Sequence, residues 1–483
     1  MTLIKSISGI RGTIGGQPGG ALTPPDLVKF TAAYATWLRR GQTDAARLKV
    51  VVGRDARVSG AMVDHLVCGT LMSCGVDVVN AGLATTPTVE MAVVWEKAHG
   101  GIILTASHNP GQWNALKLLN RHGEFLNADE GKLLLQIADS GDFHFTDVDA
   151  LGTYTSCDDA IDKHVETVCN CLHLRREPHV DAIDKHVEAV CNYPLVDVDA
   201  IYKAGFKVVV DAVNSVGGLA IPRLLRALGV QTVEMYCEPT GHFPHNPEPL
   251  PEHLTGIAAR VVAEGADCGI AVDPDVDRLA LVCENGDMFG EEYTLVAVAD
   301  YVLARRKGNT VSNLSSSRAL RDVTEQHGGQ YFASAVGEVN VVQQMKACGA
   351  VIGGEGNGGV IVPDLHYGRD ALIGAALFLS HLAHKKTTAS ALRATYPPYF
   401  ISKNKVELKP GIDMAALLQK VKQGYANNRI TDIDGVRIDF DDAKQWVHIR
   451  SSNTEPIIRI YAEAQTPAAA AALAGEVKNF LSK

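Results

Sequence analysis

Short apolar runs alternate with longer segments of helical length along most of this 483-residue chain. Apolar runs lie at 50–52, 76–81 and 101–104, and the segments between them, 60–74 and 87–99, are long enough to be helices. The order strand, helix, strand, helix, strand is typical of a parallel sheet with helical crossovers. The N-terminal part of the chain is therefore predicted to contain such a sheet.

The same order recurs twice further along the chain. Strand-like segments lie at 207–211, 232–236 and 268–272 in the second stretch, and at 310–313, 330–333 and 351–353 in the third. After Tyr399 the pattern changes to a strand, a helix, short strands and an Ala-rich helix from Pro467. This last pattern favours an α+β arrangement.

These patterns predict a fold class and a set of domain boundaries. We expect an α/β protein with three similar mixed α/β domains plus a C-terminal α+β domain around a central cleft. The expected domains are 1–152, 153–288, 289–398 and 399–483.

A short helical segment is duplicated within the second predicted domain, between 159 and 192. Residues 159–170 return as 181–192, and the two copies differ only at Thr167 and Ala189. In each copy, Ile and Val follow the i, i+4, i+7 spacing of one helix face, so each copy is predicted to be an amphipathic helix. We interpret the pair as a local tandem duplication.

The composition restricts the class of partner. A formal net charge of −10 argues against general nucleic-acid binding, which requires a basic surface, although Arg and Lys gathered in one cleft can bind a small anion. No stretch reaches the ~18 apolar residues of a membrane-spanning helix, and the N-terminus lacks the apolar region of a signal peptide. The ten cysteines are scattered, as is usual for reduced thiols. We expect a cytoplasmic monomer or homodimer with neither membrane nor nucleic-acid partners.

In each of the three stretches the third strand runs into an unusual polar loop, and such strand ends are where open α/β sheets bind ligands. The first loop, 105–110, reads Thr-Ala-Ser-His-Asn-Pro. It places Ser107 at the position expected of a nucleophile, beside His108. A Ser-His pair by itself is more often a turn with a solvated histidine.

Three aspartates alternate in the second loop, directly after an apolar strand. Asp273, Asp275 and Asp277 would repel one another unless a cation neutralised them, and their oxygen ligands suit Mg²⁺. Arg278 follows at once, placed either to bind a phosphate near the metal or to form a salt bridge with an aspartate. A solvated acidic turn is the alternative, but the loop has apolar residues on both sides.

The third loop and a C-terminal loop carry groups that suit a sugar phosphate. Segment 355–359 offers the carboxylate of Glu355 and the amide of Asn357, which can bind two adjacent sugar hydroxyls. Segment 450–456 combines an arginine, hydroxyl groups and backbone N–H groups, which can enclose a phosphate dianion. Polar and Gly-rich turns are common, so neither loop decides the function alone.

Together the four loops resemble those of the α-D-phosphohexomutase family, which includes phosphoglucomutase, phosphomannomutase and phosphoglucosamine mutase. They are similar, in the family's order, to its phosphoserine loop (105–110), metal loop (273–278), sugar-binding loop (355–359) and phosphate-binding loop (450–456). The resemblance covers nearly the whole chain. It implies four domains around a deep cleft and interconversion of hexose 6-phosphate and hexose 1-phosphate through a phosphoserine enzyme and a bisphosphate intermediate.

The resemblance also implies roles for individual residues. Catalytic roles fall to Ser107 as the phosphoryl carrier, His108 as its support, Lys117 as a general acid/base with a lowered pKa, and Arg11. Mg²⁺ would be held by Ser107, Asp273, Asp275 and Asp277. Substrate contacts fall to Glu355, Asn357, Arg450, Ser451, Ser452, Asn453, Thr454 and Arg278. A hexose 1,6-bisphosphate would be both activator and intermediate, and the partner would be a small-molecule sugar phosphate.

The chain departs from the family pattern at a few positions. Pro274 and Val276 stand where glycines usually separate the aspartates, and Asn357 stands where many members have serine. The reacting groups are all retained. We expect glucosamine phosphate to be the substrate, with a phosphomannomutase/phosphoglucomutase as the close alternative and a non-catalytic sugar-phosphate binding protein as a remoter one.

Overall fold

The computed structural model describes residues 2–6, 9–41, 47–156, 181–407, 414–451 and 457–482. The chain divides into two compact units. The first consists of Met1–Phe289 with Val360–Lys386, and the second of Gly290–Gly359 with Thr387–Lys483.

The first unit begins with a seven-stranded sheet. Its strands are β1 (Leu3–Ser6), β2 (Gly9–Thr13), β3 (Leu48–Arg54), β4 (Val76–Leu83), β5 (Gly100–Leu104), β6 (Trp113–Leu119) and β7 (Tyr154–Ser156), in the spatial order β1-β2-β6-β5-β3-β4-β7. The helices are α1 (Pro24–Arg40), α2 (Gly60–Ser73), α3 (Thr86–Trp95) and α4 (Ala128–Ser140). The predicted parallel order is confirmed for β5-β3-β4, and antiparallel β6 and β2 extend the sheet beyond β5.

The apolar run of β3 is buried on both faces of this sheet. Val50 and Val52 pack into one hydrophobic cluster together with α1 and α2, whereas Val51 points to the other face and packs with α3. Side chains along a strand alternate between faces, so helices on both sides require an apolar residue at every position. This is why the central strands read as continuous apolar runs.

The second sheet also belongs to the first unit. Its strands are β8 (Lys207–Asp211), β9 (Gln231–Met235), β10 (Cys268–Val272) and β11 (Leu279–Cys283), in the order β11-β10-β8-β9, with β10 parallel to β8 and antiparallel to β11. Its helices are α5 (Ala182–Cys191), α6 (Val198–Ala204), α7 (Gly217–Ala227) and α8 (Thr255–Glu264).

A third sheet follows in the chain. Its elements are α9 (Glu291–Leu303), β12 (Asn309–Asn313), α10 (Ala319–Gln326), β13 (Tyr331–Ser334), α11 (Glu338–Cys348), β14 (Ala350–Glu355) and β15 (Gly359–Ile361). Strand β12 runs parallel to both β13 and β14. The next helix, α12 (Ala371–Lys385), lies in the first unit.

In its described residues, the C-terminal part is an antiparallel sheet with three helices, the last two of which cover the sheet. Its elements are α13 (Ala389–Ala394), β16 (Phe400–Glu407), α14 (Met414–Gly424), β17 (Arg429–Thr431), β18 (Val436–Phe440), β19 (Gln445–Ser451), β20 (Ile457–Ala464) and α15 (Pro467–Ser482), with the strand order β16-β20-β19-β18-β17. Val421 of α14 and Val477 of α15 are buried in one cluster with the sheet. The predicted class of three mixed α/β domains followed by an α+β domain is confirmed.

The second copy of the duplicated segment is α5. Its predicted apolar stripe, Ile183, Val187 and Val190, is buried, and Asp181 caps the helix by accepting a hydrogen bond from the N–H of Asp184. The first copy, 159–170, lies outside the described residues. Among the helices that the structure describes, none is both long and apolar enough to span a bilayer.

Candidate active site

The loop that carries Ser107 begins at the carboxyl end of β5. Ser107 has a φ of 49°, in the left-handed region that residues other than glycine rarely adopt. Its backbone N–H donates to the hydroxyl of Thr105 at 2.9 Å, and that hydroxyl donates to Asp55 at 2.7 Å. The surrounding hydrogen bonds therefore hold a strained backbone, which is frequent at functional sites.

Arg57, which the sequence analysis did not single out, supports this loop from inside the first unit. Its buried guanidinium is 2.8 Å from the carboxylate of Asp55. It also donates to the backbone carbonyls of Ser107, Asn109 (2.7 Å) and Pro110 (2.8 Å). Arg57 follows β3, a strand adjacent to β5. The strand-end rule that identified Ser107 would therefore also have found it.

We expect Arg57→Lys to lower both the stability and the activity of the protein. A lysine cannot donate in several directions from one plane, so the buried carboxylate of Asp55 would lose its guanidinium partner and some of the loop carbonyls would lose their donor. Breaking a buried ion pair in this way costs about 3–5 kcal/mol. Differential scanning calorimetry should show a melting temperature that is lower by roughly 5–10 °C.

Arg260 is the matched control for this variant, because its guanidinium is exposed and, within the described residues, pairs only with Glu264, four residues later. Such a pair contributes about 0.3–0.5 kcal/mol, so Arg260→Lys should melt like the wild type. Equal melting curves for Arg57→Lys and Arg260→Lys would show that Arg57 does not support the loop.

The three aspartates of the second loop come together directly after β10. Asp273, Asp275 and Asp277 are all completely buried, and one oxygen of each lies within 4.8 Å of the others. Val276, between the last two, has a φ of 65°, which is strained for a β-branched residue. This loop and the first one meet, because the Ser107 hydroxyl donates to Asp273 at 2.8 Å.

The aspartate cluster fits an oxygen-ligated cation. Asp275 Oδ1 and Asp277 Oδ1 are buried and accept no hydrogen bond from any described residue. A buried carboxylate oxygen without a donor is unfavourable, and three carboxylates at this spacing form the donor set that Mg²⁺ prefers. These residues could therefore hold a metal ion.

Three basic side chains surround the aspartates in the first unit. Lys117 Nζ is 2.7 Å from Asp275 and 3.6 Å from Asp277. Arg369 contacts Asp277 at 2.5 Å, and the hydroxyl of Thr86 donates to Asp275 at 2.6 Å. Lys117, to which the family resemblance gave a catalytic role, thus contacts two of the aspartates, whereas Arg369 and Thr86 were missed.

Arg278 is the third of these cations. Its Nε lies 4.0 Å from Asp273 and 3.9 Å from Asp277, and its Nη1 lies 3.7 Å from Glu248. Nε makes no hydrogen bond within the described part of the chain. Arg278 is therefore near carboxylates, as the salt-bridge alternative expected, and still has a donor with which to bind a phosphate.

The family resemblance implies a lowered pKa for Lys117, but in the structure this pKa is raised. Burial by itself would lower the pKa of this amine, but the negative charges of Asp275 and Asp277 outweigh burial and raise it above its ordinary value. A general base requires the opposite shift. The ion pairs are the physical reason, so a cation that neutralised the two carboxylates would remove the cause of the raised pKa.

The acidic group nearest Ser107 and its neighbouring histidine also have shifted pKa values. Burial, together with the charges of Asp277 and Asp275, raises the pKa of Asp273 well above its usual range. Burial and the charge of Arg278 lower the pKa of His108 well below its usual range. A neutral His108 therefore lies with Nδ1 3.3 Å from the Ser107 hydroxyl.

Arg11 lies on the same face of the first sheet as Lys117. It is on β2, directly opposite Ala115 of β6, and Lys117 is two residues further along β6. Residues two apart on a strand share a face, so the two cations are diagonal neighbours. The strand register, which the apolar pattern did not reveal, brings Arg11 to the side of the sheet that bears Lys117.

The sugar-loop candidates belong to the second unit. Glu355, at the end of β14, is buried and accepts hydrogen bonds from Asn313 (2.7 Å) and from the N–H of Gly337 (3.1 Å). A Cβ at Gly356 would lie 1.9 Å from a carboxylate oxygen of Glu292, so any other residue there would displace that carboxylate. Asn357 is half-buried and accepts from the N–H of Gly359.

The phosphate-loop candidates are described only in part. Arg450 and Ser451 end β19 in the second unit, and Arg450 Nε makes no hydrogen bond to the described residues. Ser452, Asn453 and Thr454 lie outside the described residues.

Comparison with protein families bears directly on this arrangement. Models of phosphoglucomutase/phosphomannomutase α/β/α domains I, II and III and of the C-terminal domain match residues 3–145, 184–286, 290–399 and 405–480. The chain belongs to the phosphoglucomutase/phosphomannomutase family. The resemblance seen in the four loops is thereby confirmed.

Relatives along the whole length agree with this membership. A phosphoglucomutase/phosphomannomutase of Thermococcus kodakarensis is 36% identical, with 94% of each chain aligned. A protein of Methanopyrus kandleri named probable phosphoglucosamine mutase is 32% identical over 95% of this chain and 93% of its own. The crystal structure of a family protein from Burkholderia thailandensis superposes with a TM-score of 0.80 at 27% identity, covering 99% and 98% of the two chains. The chain is thus an enzyme of the phosphohexomutase class.

Proposed function

We propose that the enzyme interconverts hexose 6-phosphate and hexose 1-phosphate, with Ser107 as the phosphoryl carrier and glucosamine phosphate as the substrate. The observation that supports this most directly is the contact between the two loops of the first unit. The Ser107 hydroxyl lies 2.8 Å from Asp273, at the edge of a buried carboxylate cluster that has basic side chains around it. A serine in this position suits phosphoryl transfer better than hydrolysis, because His108, whose Nδ1 lies 3.3 Å from the Ser107 hydroxyl, has no carboxylate among the described residues to orient it as a general base.

In the proposed reaction a hydroxyl oxygen of the sugar phosphate attacks the phosphorus on Ser107. The bond from phosphorus to Ser107 Oγ breaks, and a hexose 1,6-bisphosphate forms. After the bisphosphate turns over, its other phosphoryl group is transferred back to Ser107. The carrier is therefore regenerated in each cycle.

Mg²⁺ held by Asp273, Asp275, Asp277 and the phosphorylated Ser107 would neutralise charge on the transferred group. Lys117 is the residue that we assign to the proton of the attacking hydroxyl. It accepts that proton only when its ion pairs with Asp275 and Asp277 are broken, since those pairs keep the amine charged. Arg11 and Arg278 are assigned to substrate phosphate oxygens, for which guanidinium groups are well suited.

The remaining substrate contacts are assigned to the second unit. Glu355 and Asn357 would bind two adjacent sugar hydroxyls, because a carboxylate accepts and an amide both donates and accepts. The distal phosphate would be bound by the segment that contains Arg450, Ser451, Ser452, Asn453 and Thr454.

A second candidate is a phosphomannomutase/phosphoglucomutase, which the higher identity to the Thermococcus kodakarensis enzyme favours. The name of the Methanopyrus kandleri relative supports glucosamine phosphate. We expect kcat/KM to be highest for glucosamine 1-phosphate when it is compared with mannose 1-phosphate and glucose 1-phosphate under the same conditions. A higher value for either of the other two sugars would reassign the substrate without changing the reaction.

Intact-mass measurement tests the carrier itself. Purified protein incubated with a hexose 1,6-bisphosphate should gain the mass of one phosphoryl group, and peptide mapping should place it on Ser107. If no phosphoserine forms there, the proposal that Ser107 carries the phosphoryl group fails.

A further inference from the structure

A second cluster of ligand-type side chains lies in the first unit, and the proposed reaction uses none of its members. His186 and Asp370 are fully buried, and His366 is nearly so. His186 Nε2 lies 2.8 Å and His366 Nε2 lies 3.3 Å from the same oxygen, Asp370 Oδ2. Two imidazoles and one carboxylate thus meet at one point, where His186 is distant in sequence from the neighbouring pair of His366 and Asp370, which are four residues apart.

Each of the three groups has a polar neighbour at its other polar atom. Asp370 is the N-cap of α12, and its Oδ1 accepts from the N–H groups of Leu372 and Ile373. The orientation of the carboxylate is therefore determined by the helix, and Oδ2 is directed at the two histidines.

The outer nitrogens of both histidines meet polar side chains of α3. Nδ1 of His186 lies 3.0 Å from the hydroxyl of Thr88, and Nδ1 of His366 lies 3.2 Å from Oε2 of Glu90. Metal-bound histidines are commonly oriented in this way, with one nitrogen on the ion and the other donating to a hydroxyl or carboxylate.

From this geometry we infer that His186, His366 and Asp370 form a binding site for a divalent transition metal such as Zn²⁺, distinct from the aspartate cluster. Ligands about 2.0–2.1 Å from a tetrahedral ion lie roughly 3.3 Å from one another. The distance from His366 Nε2 to Asp370 Oδ2, 3.3 Å, already has this value. The distance from His186 Nε2 to the same oxygen, 2.8 Å, is 0.5 Å shorter (3.3 against 2.8 Å). The site therefore needs a small outward shift of His186, and it leaves a fourth position for a water molecule.

The two clusters of the first unit should select different ions. Imidazole nitrogens favour zinc, cobalt and their neighbours in the first transition series, whereas an oxygen-only set favours magnesium. Because α5 supplies His186, a bound ion would connect the second copy of the duplicated segment to α12 through Asp370. The role of the ion would be structural.

Zinc titration in excess Mg²⁺ tests the inference, since magnesium then occupies oxygen-only sites. The wild-type protein should bind one equivalent of Zn²⁺ and retain it on gel filtration. His366→Gln should bind it at least tenfold more weakly. Thr88→Val keeps the side-chain volume and removes the hydroxyl that contacts His186 and Thr85, so it should weaken binding by about 10- to 100-fold.

His384→Gln is the matched control, because His384, on α12, is partly exposed and pairs with Asp197 away from the cluster. This variant should bind zinc like the wild type. X-ray absorption at the zinc edge of the wild-type protein needs no variant, and it should show the scattering of two imidazoles.

Three results would overturn the inference: no retained zinc, equal affinity in wild type and His366→Gln, or an oxygen-only zinc environment. The cluster would then be a metal-free chain of hydrogen bonds, in which both histidines donate to Asp370.

Discussion

Ser107→Ala should reduce kcat by at least about 10³-fold, because it removes the oxygen that accepts and returns the phosphoryl group in every cycle. The variant should gain no mass on incubation with a hexose 1,6-bisphosphate. Sugar-phosphate binding should persist, since the proposed sugar and phosphate contacts come from other loops. Isothermal titration calorimetry with the substrate, together with a coupled assay for kcat, measures both expectations.

Ser140→Ala is the control for this change. Ser140 is exposed at the end of α4, where its hydroxyl donates to the carbonyl of Ile137 and accepts from the N–H of Asp142. This variant should retain the wild-type kcat. Normal turnover by Ser107→Ala would assign the phosphoryl carrier to another residue.

Removal of divalent metal should stop turnover, and added Mg²⁺ should restore it. Asp273, Asp275 and Asp277 are fully buried, and two of their oxygens have no hydrogen-bond donor among the described residues. Without a cation, charge that develops on the transferred phosphoryl group would face three carboxylates. The measurement is the rate in excess EDTA before and after Mg²⁺ is returned.

A single substitution tests whether the metal that turnover requires is bound by the aspartate cluster rather than by another metal site. Asp275→Asn removes one charged ligand, and we expect kcat to fall by about 10³-fold, since metal stabilisation of phosphoryl transfer is worth several kcal/mol. Asp139→Asn is the control, because Asp139 is largely exposed and its ion-pair partners in the described part of the chain are two surface lysines. Full activity in excess EDTA would show that turnover needs no metal, and the assignment of Mg²⁺ to the three aspartates would then be wrong.

Much of the fold could be predicted because its central strands are buried on both faces. Strand β3 and strand β5 have apolar residues at every central position, and such runs are visible without knowledge of their partners. The short antiparallel strands β2 and β6 were not predicted. Their sequences are mixed, and their pairing with each other spans about a hundred residues of chain.

The reacting groups of the candidate site could be predicted from the sequence. The side chains that hold those groups in place could not. Ser107 and the aspartates follow apolar strands directly, and the strand-end rule applies to them. Arg57 and Arg369 were missed, because an arginine in a loop has the same appearance whether it is solvated or pairs with a buried carboxylate. Lys117 was placed by the family resemblance, and its position beside Asp275 depends on the pairing of β6.

The sequence by itself determined the order of strands and helices, the family, and the types of reacting group, since these depend on local patterns and on motifs that are continuous in the chain. Only the tertiary structure decided which groups meet. It brought Ser107 to Asp273, showed that Lys117 is held charged by two carboxylates, and placed the second copy of the duplicated segment in the core. Distances, burial and pKa values arise from contacts between residues that are far apart in the chain, and no local pattern records them.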